Sequence, residues 1–294
     1  EFTLGNINGI KKEISLNIGS VRITEKFFLD NGIYNYCEEN REKAKEWVKN
    51  NLQELEDFKN EMDKISEKGW IKTHRSGPTG IGKTLEDLLG IQENNASEPD
   101  FGVYELKASR NNDESMLTLF TKSPQPRRVN GKLLENYGYY SEQYEENNRK
   151  KVIHSTLSTT NPVKISDTGK SLSLVCSENR ISIVDNENDF EAFWDKSELK
   201  KVFDKKFKHT LIYVKADSVN SGTNEKFLYK EAFELSGFNY NGLIELLEKG
   251  IVKIDIRIGQ YSDGRTHDHG TAFRIHPKYF DQLFLNKNLI WTRK

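Results

Sequence analysis

The chain has 294 residues, 35% of them apolar and 30% charged, and its 16 Phe, 12 Tyr and 4 Trp supply enough bulk for a packed core and exclude a disordered chain. No apolar run approaches the roughly 18 residues of a membrane span, and two cysteines, Cys37 and Cys176, cannot build a disulfide framework or a four-thiolate zinc site, which points to a reducing, cytoplasmic setting. With 44 basic and 45 acidic residues the net charge is −1, which excludes a uniformly basic nucleic-acid binder but leaves room for a local basic patch such as Lys200–Lys208.

Length alone suggests about two domains at roughly 150 residues each. No basic start leads into an apolar segment, so no secretory leader is expected. Residues 3–24 read as short strands broken by Asn-Gly and Gly-Ser. Across 38–67, Ala44, Trp47, Val48, Leu52, Leu55, Phe58 and Met62 recur at spacings of three and four, predicting a helix that stops near Lys68-Gly69. A short strand is expected at 70–75, a turn-rich loop at Gly77–Gly82 and helix at Leu85–Leu89. Strands follow at 101–109 and 116–122, then a polar surface loop over 125–150 that includes Tyr139 and Tyr140. Further strands are expected at 151–156, 162–165, 171–176, 180–184, 210–214, 252–258 and 271–276, with helices at 196–207, 239–249 and 277–286. Strands and helices alternate irregularly, which predicts a mixed α/β chain without internal repeats.

Gly77-Pro78-Thr79-Gly80-Ile81-Gly82-Lys83-Thr84 fits the phosphate-loop pattern G-x-x-x-x-G-K-[ST]. Its context argues against a nucleotide site. A phosphate loop follows a buried parallel strand, whereas Lys72-Thr73-His74-Arg75-Ser76 precedes this one, and Leu211–Val214 is followed by Lys215 instead of an acid. The simpler reading is a glycine turn ahead of the helix that carries Glu86.

The segment Pro99-Asp100-Phe101-Gly102-Val103-Tyr104-Glu105-Leu106-Lys107 carries the chemistry. Side chains alternate along a strand, so Val103, Glu105 and Lys107 share one face while Tyr104, Leu106 and Ala108 share the other. Asp100, just before the strand, can turn in beside Glu105. Two carboxylates and the carbonyl of Leu106 make an oxygen site for a hard divalent cation, and Lys107 can hold or help deprotonate a water beside a phosphate. The helix Thr84–Leu89 presents Glu86 as a further acid, with Asp87 left on its solvated side.

Taken together, Gly80–Leu89, Pro99-Asp100-Phe101, Glu105-Leu106-Lys107, Leu117–Pro124, Lys253–Gly259 and His267–Ile275 resemble, in the same order, the MvaI/BcnI type II restriction endonucleases, relatives of the mismatch-repair nicking enzyme MutH. The resemblance covers residues 67 to about 276. It implies a restriction-endonuclease-like α/β fold: a mixed β-sheet core flanked by helices, with catalytic and recognition lobes around a DNA cleft. It also implies Asp100, Glu105 and Lys107 as metal-binding and catalytic residues, with Glu86 as the additional acid. The implied activity is Mg²⁺-dependent cutting of double-stranded DNA by a monomer, one strand at a time, at CC(A/T)GG or CC(C/G)GG. A cognate DNA methyltransferase is the expected genetic partner. Residues 1–66 are expected as an added module with a long amphipathic helix, 67–165 as the catalytic lobe and 166–294 as the recognition lobe, part of 205–216 joining the catalytic core.

Arg257, His267, Asp268, His269 and Arg274 suit the reading of G·C pairs. Arginine pairs with guanine O6 and N7, histidine can donate to the same acceptors, and a carboxylate accepts from cytosine N4. Zinc at His267-Asp268-His269 would need further ligands at a suitable spacing. Lys83, Lys122 and Lys208 are candidate phosphate contacts, along with Lys72, Arg75, Arg127, Arg128, Lys205 and Lys206. The alternatives are a MutH-like nicking enzyme, a non-catalytic DNA-binding module and a phosphate-loop nucleotide-binding protein.

Overall fold

The computed structural model describes residues 37–91, 101–111, 116–140, 150–165, 168–185, 191–261 and 263–294, together with the backbone of four short strands before residue 37. Those are β1 (Phe2–Asn6), β2 (Gly9–Ile14), β3 (Leu29–Asp30) and β4 (Ile33–Tyr34), paired as two hairpins. Then come α1 (Glu38–Glu67), β5 (Ile71–Lys72), α2 (Gly80–Leu88), β6 (Tyr104–Arg110), β7 (Leu117–Thr121), α3 (Val129–Tyr137), β8 (Tyr139–Tyr140), β9 (Lys151–Leu157), β10 (Val163–Lys164), β11 (Ser171–Cys176), β12 (Arg180–Asp185) and β13 (Ala192–Asp195). The rest is α4 (Lys196–Lys206), β14 (Thr210–Val219), a 3-10 turn, β15 (Lys226–Phe238), α5 (Tyr240–Glu248), β16 (Val252–Gln260), β17 (Thr266–Asp268), β18 (Ala272–Ile275), a second 3-10 turn (Pro277–Leu283) and β19 (Phe284–Thr292).

Two compact units share these elements. The first comprises residues 1–113, 209–238 and 284–294; the second comprises 114–208 and 239–283. The expected consecutive division at residues 66 and 165 therefore gives way to an interleaved one. The cause is strand pairing: β6 pairs with β14 in parallel, and β14 with β15 and β15 with β19 antiparallel, so distant segments complete one sheet.

In the first unit the order β19-β15-β14-β6 leaves β6 at an edge, and β5 pairs with β15. One face of this sheet packs on α1 and α2. Leu55, Phe58, Met62 and Ile65 of α1 and Ile81 and Leu85 of α2 close over Tyr104, Ile212, Val214, Phe227, Tyr229 and Trp291. Each such side chain contributes roughly 1.5–3 kcal/mol on burial, so the apolar stripe of α1 docks into the core beneath β6. Its end is tied to β19 by the Trp291 Nε1 donor to Asp63 Oδ1 at 2.7 Å and by Arg293 donating to the carbonyl of Ser66 at 2.6 Å.

The second unit holds a sheet ordered β7-β18-β16-β9-β8, with β17 on β16, and a four-stranded sheet β10-β11-β12-β13. Phe120 stacks on Phe273 at 4.5 Å and meets Phe203 edge-on at 4.2 Å, forming the aromatic centre of its core.

Three expectations change. The loop 125–150 contains α3, whose Val129, Leu133, Leu134 and Tyr137 are buried at helical spacing; its residues 141–149, like 7–8 and 15–24 of the expected N-terminal strands, lie outside the described residues. α2 begins at Gly80, inside the expected turn. The helix expected at 277–286 is a 3-10 turn followed by β19, because backbone pairing with β15 captures Phe284–Thr292.

Candidate active site

β6 carries the two site residues that the structure describes on one strand. Tyr104 is fully buried toward the α1–α2 core, with Leu106 and Ala108 packed beside it on the same face. Glu105 and Lys107 therefore emerge on the opposite face, both half-buried, opposite Leu211 and Tyr213 of β14. Ser109, next on that face, bonds Tyr213 hydroxyl to hydroxyl at 2.6 Å, closing the sheet surface beyond Lys107. Because β6 is an edge strand, alternate backbone carbonyls point away from β14. Glu86 stands half-buried on α2, the helix that packs against β6. Asp100 lies outside the described residues.

The glycine loop before α2 is held by protein groups. Arg110, at the end of β6, donates to both Glu225 oxygens at 2.6 and 2.8 Å and to the carbonyls of Gly77 and Pro78 at 3.1 Å. The Thr84 hydroxyl donates to the Gly80 carbonyl at 2.7 Å and accepts from the His74 amide at 2.9 Å. A Cβ at Gly80 would run into the carbonyl of Arg75, so glycine is needed there for close approach. Lys83 pairs with Asp87 at 2.7 Å, and His74 meets the other Asp87 oxygen at 2.9 Å. Lys83 first, and then His74, hold the Asp87 carboxyl below its ordinary range. The preceding β5 is a two-residue strand antiparallel to β15. This loop is a turn whose Thr84 hydroxyl and Gly77, Pro78 and Gly80 carbonyls bond within the protein, and the strand before it is antiparallel, whereas a phosphate cradle follows a parallel strand.

In the second unit, the base-reading candidates divide into two sets. Asp268 is enclosed by donors: its Oδ1 accepts from the amides of Gly270 and Thr271 at 2.8 and 3.0 Å, and its Oδ2 from Ser123 and Asn130 at 2.6 and 2.7 Å. Arg274 donates to the buried Asp255 at 2.8 Å and to the carbonyl of Met116 at 2.9 Å. These two side chains shape the loop and the sheet.

Arg257, His267 and His269 form an outer patch. Arg257 is exposed, with its Nε 2.9 Å from Asp255. The His269 amide donates to the Arg257 carbonyl at 2.8 Å, and the His267 Nδ1 and His269 Nε2 lie 3.3 Å apart. Gly259 leaves room for the His269 ring, whose Nε2 would be 3.2 Å from a Cβ there. His154, which the sequence reading passed over, is exposed opposite Arg257 on β9. Its signal was the alternation of β9, which turns His154 outward between buried Ile153 and Ser155. Among the described residues no group of three His, Cys, Asp or Glu is arranged to hold a metal ion. Of the phosphate candidates, Lys122 is half-buried and Lys208 exposed.

The MvaI/BcnI restriction endonuclease family model matches residues 59–284. The chain belongs to this family. A solved complex of restriction endonuclease MvaI with its cognate DNA substrate is 32% identical, covers 80% of this chain and 98% of that one, and superposes with a TM-score of 0.65. MvaI in the absence of DNA is 31% identical over 81% of this chain and 97% of its own, with a TM-score of 0.53. The fold is thus that of a restriction endonuclease, and the chain is a DNA-binding nuclease of this family. A separate likeness, 80% identity over 59 residues, is to a bifunctional 3-dehydroquinate synthase/phosphatase of Fusobacterium nucleatum subsp. nucleatum. It spans 20% of this chain and 9% of that protein, a segment and not a shared activity. No described helix is long and apolar enough to cross a membrane.

In this family member, His269 titrates below its ordinary value of 6.5, because of burial first and then the neighbouring His267, His154 and Arg257 charges, which outweigh Asp268. The unfolded chain therefore takes up a proton before the folded one, and stability falls as pH drops below about 6.5. Thermal unfolding between about pH 7.5 and 5.5 should show a larger loss for the native chain than for His269→Asn.

Proposed function

We propose that this chain is a type II restriction endonuclease that uses Mg²⁺ to hydrolyse both strands of DNA at a short C/G-flanked site such as CCWGG or CCSGG. It leaves 5′-phosphate and 3′-hydroxyl ends. The observation that carries this reading is Glu105 and Lys107 side by side on the face of edge strand β6 opposite the α1–α2 core, in a chain matched to the family on both sides of it.

The donor chemistry fits a hard cation: the Glu105 carboxylate, the Leu106 carbonyl and, by motif, Asp100 are all oxygen ligands. Bound there, Mg²⁺ supplies charge neutralisation for the phosphate and the departing 3′-oxygen. Lys107 orients the attacking water and takes up or relays its proton, while Glu86 on α2 is, by motif, the additional acid. The family resemblance supports action as a monomer, one strand per binding event, in the cytoplasm alongside a cognate DNA methyltransferase.

Within the second unit, Arg257, His267 and His269 read bases, and Asp268 and Arg274 hold the surface that presents them. A bidentate Arg–guanine contact is worth roughly 1–3 kcal/mol, or about ten- to a hundredfold in discrimination. Arg257→Ala should therefore lower the ratio of cognate to random DNA binding by that factor across a salt titration. Asp268→Ala should lower the melting temperature, and its loss of selectivity should track the loss of structure. Lys208→Ala should weaken all sequences alike.

The function is tested by incubating plasmid with the protein and Mg²⁺ and sequencing the ends. Linear product from one recurring sequence, passing through a nicked circle, is expected. Nicking without linearisation would favour a MutH-like enzyme, and intact plasmid with ATP turnover would overturn the nuclease reading.

A further inference from the structure

Glu54 departs from the pattern of the helix that carries it. Along α1, Glu38, Glu39, Glu42, Glu56 and Glu61 each pair with a basic residue one turn away. Glu54 instead reaches out of the helix, and its Oε2 accepts the backbone N–H of Val103 at 3.2 Å. One turn further on, the Phe58 ring meets Phe101 edge-on at 5.9 Å. One face of α1 thus grips both residues that flank Gly102.

Gly102 answers to the same grip. Its φ is +56°, a conformation costly for other residues, and a Cβ there would overlap the Glu54 carboxylate. The turn closes through two backbone bonds, Phe101 N–H to Tyr104 carbonyl at 2.9 Å and Tyr104 N–H to Phe101 carbonyl at 2.8 Å. The turn Phe101–Tyr104, whose shape α1 holds, therefore leads directly into Glu105. Glu54 itself precedes the residues matched by the family model, which begin at 59.

We propose that Glu54 is a positioning residue of the nuclease site: by holding Val103 it sets the turn that leads into β6 and fixes where Glu105 and Lys107 stand toward a cation. The inference rests on the reading of Glu105 and Lys107 as the site. A misplacement of about 1 Å at such a site costs on the order of a hundredfold in rate. A side chain that merely docks a helix would alter melting without altering metal use.

Two readouts test it. The first is hydrogen exchange of the Val103 amide in metal-free protein; the second is the single-turnover cleavage rate across a Mg²⁺ titration. Glu54→Ala should speed Val103 exchange at least tenfold, raise the Mg²⁺ concentration for half-maximal rate and slow cutting about a hundredfold. Its affinity for DNA without metal should stay within about twofold. Glu54→Gln, whose amide oxygen can accept the same bond, should recover most of both properties. Glu54→Asp keeps the charge but withdraws the oxygen by one methylene, and should resemble Glu54→Ala even if the alanine variant fails to fold. Normal rate and metal dependence in Glu54→Ala or Glu54→Asp would overturn the inference, as would a Gln variant as defective as Ala. Glu105→Ala is measured alongside. If it still cuts, the site is misassigned and both readings fall; if it is inactive while the Glu54 variants are normal, only this inference falls.

Discussion

Glu105→Ala should lower the cleavage rate by more than about a thousandfold, a loss above roughly 4 kcal/mol of transition-state stabilisation. The carboxylate is the described acid of the site on β6, and no other described residue shares its strand face with an acidic group. Folding should survive the change. β6 is held by the parallel ladder to β14 and by Tyr104, which is fully buried on the opposite face, whereas the Glu105 side chain is only half-buried. DNA binding in a gel shift without metal should be retained or slightly tightened, because a negative charge is removed near phosphates. Lys107→Ala should lose cutting to a similar extent while weakening DNA binding modestly. A Glu105→Ala protein that linearises plasmid at near-normal rate would remove β6 as the seat of catalysis.

The largest stability effect should come from Asp255. It is 5% exposed in the middle of β16, and its carboxylate accepts from Arg274 at 2.8 Å, from Arg257 at 2.9 Å and from the Thr156 hydroxyl at 3.1 Å. The exposed Arg257 partner contributes little, since solvent screens it. Arg274 is different. Its side chain is 22% exposed, and its buried Nε has no hydrogen-bond partner. Removing the carboxylate leaves that guanidinium charged with the Met116 carbonyl as its remaining acceptor. Breaking a buried pair by deleting one partner typically costs 3–5 kcal/mol, so Asp255→Ala should cost about 3 kcal/mol in denaturant unfolding. Replacing both partners together, Asp255→Leu with Arg274→Met, should recover part of that loss. Equal stability of Asp255→Ala and the native chain would mean that Arg274 reaches solvent.

Periodicity made much of this legible. The apolar stripe of α1 and the alternation of β6 are properties of local sequence, and the structure follows them nearly residue by residue. The faces of β6 could be read because Tyr104, Leu106 and Ala108 differ so plainly in polarity from Glu105 and Lys107. α3 was hidden by its surroundings: Pro124, Pro126, Gly131 and Gly138 bracket or interrupt it, and only tertiary burial of Val129, Leu133, Leu134 and Tyr137 selects the helix. β15 mixes polar and apolar residues over Lys226–Phe238 and gains its identity from pairing with β14 and β19, which no local window contains. The same limit applies to side-chain roles. Asp268 and Arg274 have residue types suited to bases, but partners distant in sequence, Ser123, Asn130 and Asp255, occupy them. Nothing local distinguishes Glu54 from the other acids of α1, because its partner is a backbone amide 49 residues on.

The interleaving of the two units bears on how such an enzyme is made. The polypeptide passes from one unit to the other four times, and β19, which flanks β15 in the sheet that holds Glu105, follows every other element in chain order. During translation, β6 and its acidic and basic side chains emerge long before the strand that finishes their sheet. A prematurely terminated product therefore carries the complete cutting motif without the completed unit that supports it. This order of assembly ties the finished sheet around Glu105 to the synthesis of β19, and fragments that stop before it lack that strand of the scaffold.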